Sequence, residues 1–444
     1  MKPGINTTSA LISALLCKSS VNTPLILRFL GYDLTNFLKY LKCLYLNNKE
    51  IKGNRLIQDI LKLERQIHSK KNNGVAIQEE LLRYVSDNYR ILFPLSQVYQ
   101  YDFVFADTSE DYDGCGNFAY KRDDSLLFGG YHVVIAHSMI KTDKRYFAYL
   151  FRTDCWRKQI REKVSGVKVF SITQKTISNA SVIVPPFEEQ ISIANYLDSK
   201  CGEIDALSAD IQAEINTLEE YKKSVITEAV TKGLNPDAEM KDSEIQWIGK
   251  MPSHWNCIRG KYILNYLQKP VREDDSVITC FRDGEVTLRS NRREDGFTMA
   301  DKEIGYQGID VGDLVVHGMD GFAGAIGISD SRGKASPVLN VLDTGMDKKF
   351  VMYYLRSMAY SDVFVALATG IRVRSCDLRW NKLAELFYPV PPKNEQQQIS
   401  KYIDDTLLKT NDVIKQKKEQ LTTLDEYKKS LIYEYVTGKK EVPA

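Results

Sequence analysis

The stretch LEEYKKSVITEAVTKG, residues 218–233, returns as LDEYKKSLIYEYVTGK at 424–439, an offset of 206 positions. Extended upstream, residues 184–231 align with 390–437 without a gap, and 19 of the 48 pairs are identical. An ungapped match of that length marks an internal repeat. Each copy opens on a proline pair, in VPPFEEQISIANYLD (184–198) and VPPKNEQQQISKYID (390–404). Proline suits extended or first-turn positions and acidic side chains suit the positive end of a helix, so Glu188, Glu189 and Glu395 predict a helix start in both copies.

In the second copy Ile403, Leu407, Thr410, Ile414, Leu421, Leu424, Leu431 and Tyr435 advance by steps of four and three, broken at Lys417 and Lys428. The first copy carries the same frame as Leu197, Cys201, Ile204, Ile211, Ile215, Leu218, Val225 and Ala229, with Ser208 and Lys222 as its breaks. This is a heptad seam, and it predicts two helices of ~33 residues, each ~50 Å long. Gly233 and Pro236 stop the first of them. A parallel pair would oblige the intervening chain to return over ~50 Å, so an antiparallel coiled coil with pseudo-two-fold symmetry is the expected topology. Taken alone, the seam specifies association and not chemistry, and a simple dimerising coiled coil would explain it.

The segments ahead of the proline pairs repeat as well, at an offset of 204: DKRYFAYLFR (143–152) pairs with DKKFVMYYLR (347–356), and GVKVFS (166–171) with GIRVRS (370–375). DFVFAD (102–107) and DLVVHG (313–318) read as short strands leading into turns. The expected fold class is therefore mixed α+β, with two globular domains separated by two long helices. The ranges are a first domain at 1–183, a helix at 184–233, a second domain at 234–389, and a second helix with tail at 390–444.

The net charge of +2 over 444 residues leaves the partner open, because nucleic acid is bound by a local basic surface and not by the chain total. One such surface is offered by FRDGEVTLRSNRREDGF (281–297), where Arg282, Arg289, Arg292 and Arg293 with Asn291 supply forked donors suited to guanine edges and phosphates. Arg372 and Arg374 follow Gly370 on an alternating segment, and Lys168 is the first-domain counterpart of Arg372. Asp283, Glu285, Glu294 and Asp295 dilute the patch, and a solvated charged loop is the plainer reading of that stretch on its own. The eight cysteines show no zinc-ligand spacing, and His132 and His317 have no ligand-spaced neighbours. The apolar run ALISALL (10–16) is too short to span a bilayer, so no membrane partner and a cytoplasmic location are expected.

These features together resemble the specificity (S) subunit of type I restriction-modification enzymes. The resemblance is carried by PPFEEQ and PPKNEQQ, by the two EYKKS helices, and by LNPDAEMKDSEIQWIGKMPSHW (234–255). In that last stretch Trp247, Pro252, His254 and Trp255 match the family's lead-in to a target recognition domain. The resemblance implies two target recognition domains, each reading one half of a split, asymmetric site on double-stranded DNA. It also implies helices that dock two methylation (M) subunits, with restriction (R) motor subunits joining the core. S-adenosylmethionine, ATP and Mg2+ would then sit on those partners, and none on this chain.

The N-terminal region departs from the pattern. The counterpart of DSEIQWIGKMPSHW (242–255) should fall at 36–49, where the sequence is NFLKYLKCLYLNNK, and Leu56, Ile60, Leu63 and Ile67 keep helical spacing. The first domain is expected to fold and to read DNA in a modified way, since 102–183 retains the frame. Two other classes of function stand beside the reader. An enzyme is disfavoured by the absence of a phosphate-binding loop and of an amino-methyltransferase motif, and PDAEMK (236–241) reads as a turn and not as a nuclease site. A structural coiled-coil adaptor, or an inactive or recombined subunit without DNA readout, would use the seam alone.

Overall fold

A computed structural model describes residues 93–443 except 123, 131, 167, 293–303 and 368–377. The features predicted for residues 1–92 lie outside the described residues. The chain divides into two units, one running to Leu207 and resuming at Thr423, the other spanning Ser208–Thr422. Each unit holds one mixed α/β module and a part of each long helix.

In the first unit the central strand is β1 (Phe103–Ala106), flanked antiparallel by β2 (Phe118–Tyr120) and β3 (Val133–Ala136). Side chains alternate along a strand, and here both faces are apolar. Phe103 and Phe105 meet Phe118, Phe151 and Trp156, while Val104 and Ala106 pack with Val98, Ala119 and Leu127. Helix α1 (Lys144–Arg152) follows, capped by the Asp143 carboxylate, which accepts from the backbone N–H groups of Arg145 at 2.8 Å and Tyr146 at 3.3 Å.

Helix α2 (Phe187–Lys232) runs for 46 residues, about 69 Å at 1.5 Å per residue. That exceeds the ~33 residues predicted from the seam because helix begins directly after the proline pair, where the N–H of Gln190 already donates to Pro186.

The second unit repeats the order of the first. Strand β4 (Leu264–Leu267) pairs with β7 (Leu339–Thr344), which pairs with the central β5 (Leu314–His317), itself joined to β6 (Ile326–Ile328). Leu314 and Val316 face the main core with Ile326, Leu342 and Phe350, whereas Val315 faces a second cluster with Ile278, Val286 and Val341. Helix α3 (Lys348–Tyr360) is capped by Asp347, which accepts from the N–H of Phe350 at 2.9 Å. The strand order β5, β6, β7, then α3 thus matches β1, β2, β3, then α1. Helix α4 (Lys393–Val436) has 44 residues.

Within each unit the helix halves run antiparallel. In the first, Lys428 pairs with Asp205, and the rings of Tyr196 and Tyr435 lie 4.5 Å apart. In the second, Lys417 pairs with Glu214, and Ile226 and Val230 share a core with Ile399 and Ile403. Of the predicted seam residues, Leu197, Ile204, Ile211, Ile215, Val225, Ile403, Ile414 and Leu431 are buried, and Leu218, Leu407, Leu421 and Leu424 are half-buried. Lys222 and Lys428, which occupy the same break in the two seams, differ in their partners. Lys428 reaches the facing helix, while Lys222 bonds Glu219 on its own helix at 2.8 Å.

Candidate nucleic-acid interface

The basic segment of the second unit is a hairpin, Ile278–Cys280 paired with Val286–Leu288, closed by the turn at 281–285. Arg282 and Arg292 lie by that turn and Arg289 at the open end of the hairpin, each with a partner. Arg282 bonds Asp320 at 2.9 Å. Arg292 bonds Asp283 at 2.8 Å and Glu285 at 2.9 Å, and its guanidinium lies 4.2 Å over the Phe281 ring. Arg289 donates to the Thr279 hydroxyl at 3.3 Å, and the Asn291 amide donates to that of Thr287 at 2.8 Å. Arg293, Arg372 and Arg374 lie outside the described residues. Lys168 is exposed in the first unit.

Exposed ion pairs contribute only ~0–1 kcal/mol each, so these carboxylates hold the guanidinium groups in place without removing them from use. Two residues with no binding role assigned from the sequence complete the cluster. Arg356 on α3 donates to the Asp283 carbonyl at 2.8 Å, and His317 Nδ1 accepts from the N–H groups of Met319 at 3.2 Å and Asp320 at 2.9 Å. Burial lowers the His317 pKa against the pull of Asp320, which keeps Nδ1 available as an acceptor. His317, an ordinary structural histidine by sequence, therefore shapes the loop that presents Asp320 to Arg282.

The lead-in residues form a joint with the helices of their own unit. Trp255 is fully buried, its ring edge-on to Phe350 at 6.4 Å, and Trp247 Nε1 donates to the Tyr354 hydroxyl at 3.1 Å. Pro252 is buried in a two-stranded pairing, and His254 Nε2 lies 2.9 Å from Glu395 at the start of α4. Gly233 ends α2 at φ +74°, where a side chain would be strained and its Cβ would stand 3.2 Å from the Trp255 ring. Asp237 and Glu239 lie in the exposed turn between, and Glu239 Oε2 is 3.5 Å from the Ser253 hydroxyl.

A second joint appears twice. The Tyr149 hydroxyl donates to Asp198 at 2.8 Å, and the Tyr353 hydroxyl to Asp404 at 2.5 Å. Arg145 joins Asp198 at 2.9 Å, and Lys349 joins Asp404 at 2.6 Å. Gln190 accepts from the Asp143 N–H at 3.0 Å and donates to the Pro185 carbonyl, and Gln396 does the same with Asp347 at 2.8 Å and Pro391. Burial, reinforced by the neighbouring carboxylate, raises both tyrosine pKa values, so the hydroxyls stay protonated donors. Sequence reasoning followed the apolar seam and missed these residues, although tyrosine, aspartate and glutamine are identical in the two copies at offsets of 204 and 206.

Residues 68–217 match the family described as Type I restriction modification DNA specificity domain. The chain is 24% identical over 336 residues to the putative type I restriction enzyme MjaX specificity subunit of Methanocaldococcus jannaschii, covering 72% of this chain and 74% of that protein. It is 21% identical over 352 residues to the type I restriction enzyme EcoDI specificity subunit of Escherichia coli, covering 73% and 76%. A shorter match to the MjaVIII specificity subunit of M. jannaschii, 25% identical over 144 residues, spans 31% of this chain and 32% of that protein. A chain from a solved type I R-M system, in work on its complex assembly and conformational transition, shares the fold at a TM-score of 0.57 and 14% identity, over 77% of this chain and 82% of that one. What these matches share is the type I DNA specificity domain, which residues 68–217 of this chain resemble. The chain is HsdS-like, similar to the specificity subunits of type I restriction-modification enzymes.

Proposed function

We propose that this chain is the sequence-reading, non-catalytic subunit of a cytoplasmic type I restriction-modification complex. The observation that carries the reading is the duplicated module. Strands and helix recur in the same order, and each module is fastened to its long helix by the same tyrosine, aspartate and glutamine bonds, while the loop residues differ. Two readers of one construction and different chemistry suit a bipartite, asymmetric DNA site. The four ranges 1–183, 184–233, 234–389 and 390–444 then serve as reader, helix, reader and helix, with the two helices as an antiparallel coiled coil. Exposed apolar residues on the helices recur at the repeat offset, as Leu207 with Val413 and Tyr221 with Tyr427. They suit the docking of two methylation subunits, with restriction subunits joining that core. S-adenosylmethionine, ATP and Mg2+ belong on those partners in this reading.

The adaptor reading has one observation in its favour, the carboxylates already bonded to Arg282 and Arg292. The two are separated by binding of the reconstituted complex to a panel of duplexes with single base-pair changes. Arg289→Ala and Arg292→Ala should each cost ~1–3 kcal/mol, at single positions for base contacts and across all sequences for phosphate contacts. A pure adaptor would be indifferent to both.

A further inference from the structure

The turn that leads into the central strand is held by the same hydrogen bonds in the two modules, although only its final aspartate is shared. In the second it is Asp310 to Asp313: the Asp313 carboxylate accepts from the Asp310 N–H at 2.8 Å, and the Gly312 N–H donates to Ser329 at 2.8 Å. In the first it is Tyr99 to Asp102, where the Asp102 carboxylate accepts from the Tyr99 N–H at 2.6 Å and the Tyr101 N–H donates to Lys121 at 2.7 Å. The return bonds match too, Ser329 N–H to Asp313 at 2.9 Å and Lys121 N–H to Asp102 at 3.1 Å. Tyr101 thus occupies the slot of Gly312, and both are left-handed, at φ +68° and +84°.

Glycine takes that conformation freely, whereas a bulky L-residue is strained there. The bonds of the turn hold that backbone in place, and among the described residues the Tyr101 side chain itself adds no hydrogen bond, being 44% exposed. Such strain, held by a fully bonded turn, is characteristic of a residue aimed at a ligand. Its neighbours are of one chemistry. Tyr99 is exposed beside the His137 ring at 5.6 Å, His137 is held by Asp102 at 2.8 Å, and the exposed Gln100 amide donates to the Arg122 carbonyl at 2.9 Å. Aromatic rings set beside an amide and an imidazole fit base edges and the sugar-phosphate backbone.

We infer that the turn at 99–102 is a DNA-contacting turn of the first module, with Tyr101 as its specificity-determining residue and duplex DNA as the occupant. The inference rests on the reading proposed above and adds to it the reader of the half-site that Arg289 and Arg292 do not serve.

The test uses the full chain reconstituted with its methylation subunits, and as probe a duplex carrying the motif found by methylation mapping, with controls in which either half is scrambled. Tyr101→Gly and Tyr101→Asn both relieve the left-handed strain, so melting should stay within about 4 °C of wild type or rise. Affinity for the intact duplex should fall about tenfold or more, and the preference for one half should be lost, the other half being kept. Affinity and preference within about twofold of wild type would overturn the inference while leaving the proposed function standing, as would a melting point lowered by more than about 4 °C. If wild type distinguishes neither half, the proposed function falls and the inference with it.

Discussion

In the second module Phe350 packs edge-on against the buried Trp255, whereas its counterpart in the first, Tyr146, turns its hydroxyl to the carbonyls of Val436 at 3.0 Å and Ile183 at 3.1 Å. The polar bonds that seat each helix on its module are the same, so the difference isolates what the lead-in motif contributes. It supplies an apolar plug under α3, and among the described residues of the first module a hydroxyl bonded to the end of α4 stands at the equivalent position. A joint can therefore keep its geometry while exchanging its filler, as long as the polar residues that set direction are retained.

The largest expected effect breaks this comparison at the plug. Trp255→Ala should destabilise the protein by ~3–5 kcal/mol through loss of buried area and an unfilled cavity. Tyr146→Phe removes one buried hydroxyl and should cost only ~1 kcal/mol. Both are read from denaturant midpoints, and equal losses would mean that the two joints are not built differently.

A smaller effect sharpens the comparison along the helices. Lys428, 13% exposed and reaching Asp205, sits deeper in its seam than Lys222, which is 22% exposed and bonded within its own helix. Lys428→Leu should raise stability by about 1 kcal/mol as a buried polar seam position becomes apolar, with less than half that from Lys222→Leu. Equal melting shifts would remove the distinction.

The repeat, the two long helices and the strands at 103–106 and 314–317 were all legible in the sequence, because each rests on periodicity or on residue identity at fixed spacing. The full helix lengths were not, since the first turns after the prolines precede the heptad seam. Nor were the ion pairs of Arg282 and Arg292, which depend on how a hairpin turn brings Asp283, Glu285 and Asp320 together. The strain at Tyr101 was hidden for a simpler reason: YQYD and DVGD share only their final aspartate, and the backbone dihedral that equates Tyr101 with Gly312 is not written in either string. Charge pattern located the candidate site, and hydrogen-bond geometry was needed to show which of its groups are already held.

The central claim, that two similar modules read two different halves of one DNA site, is tested most directly by mapping methylated adenines across the genome with and without the gene for this chain. The account predicts a split, non-palindromic motif that disappears with the gene. An unchanged methylation pattern would contradict it, as would a lost motif with only one specified half.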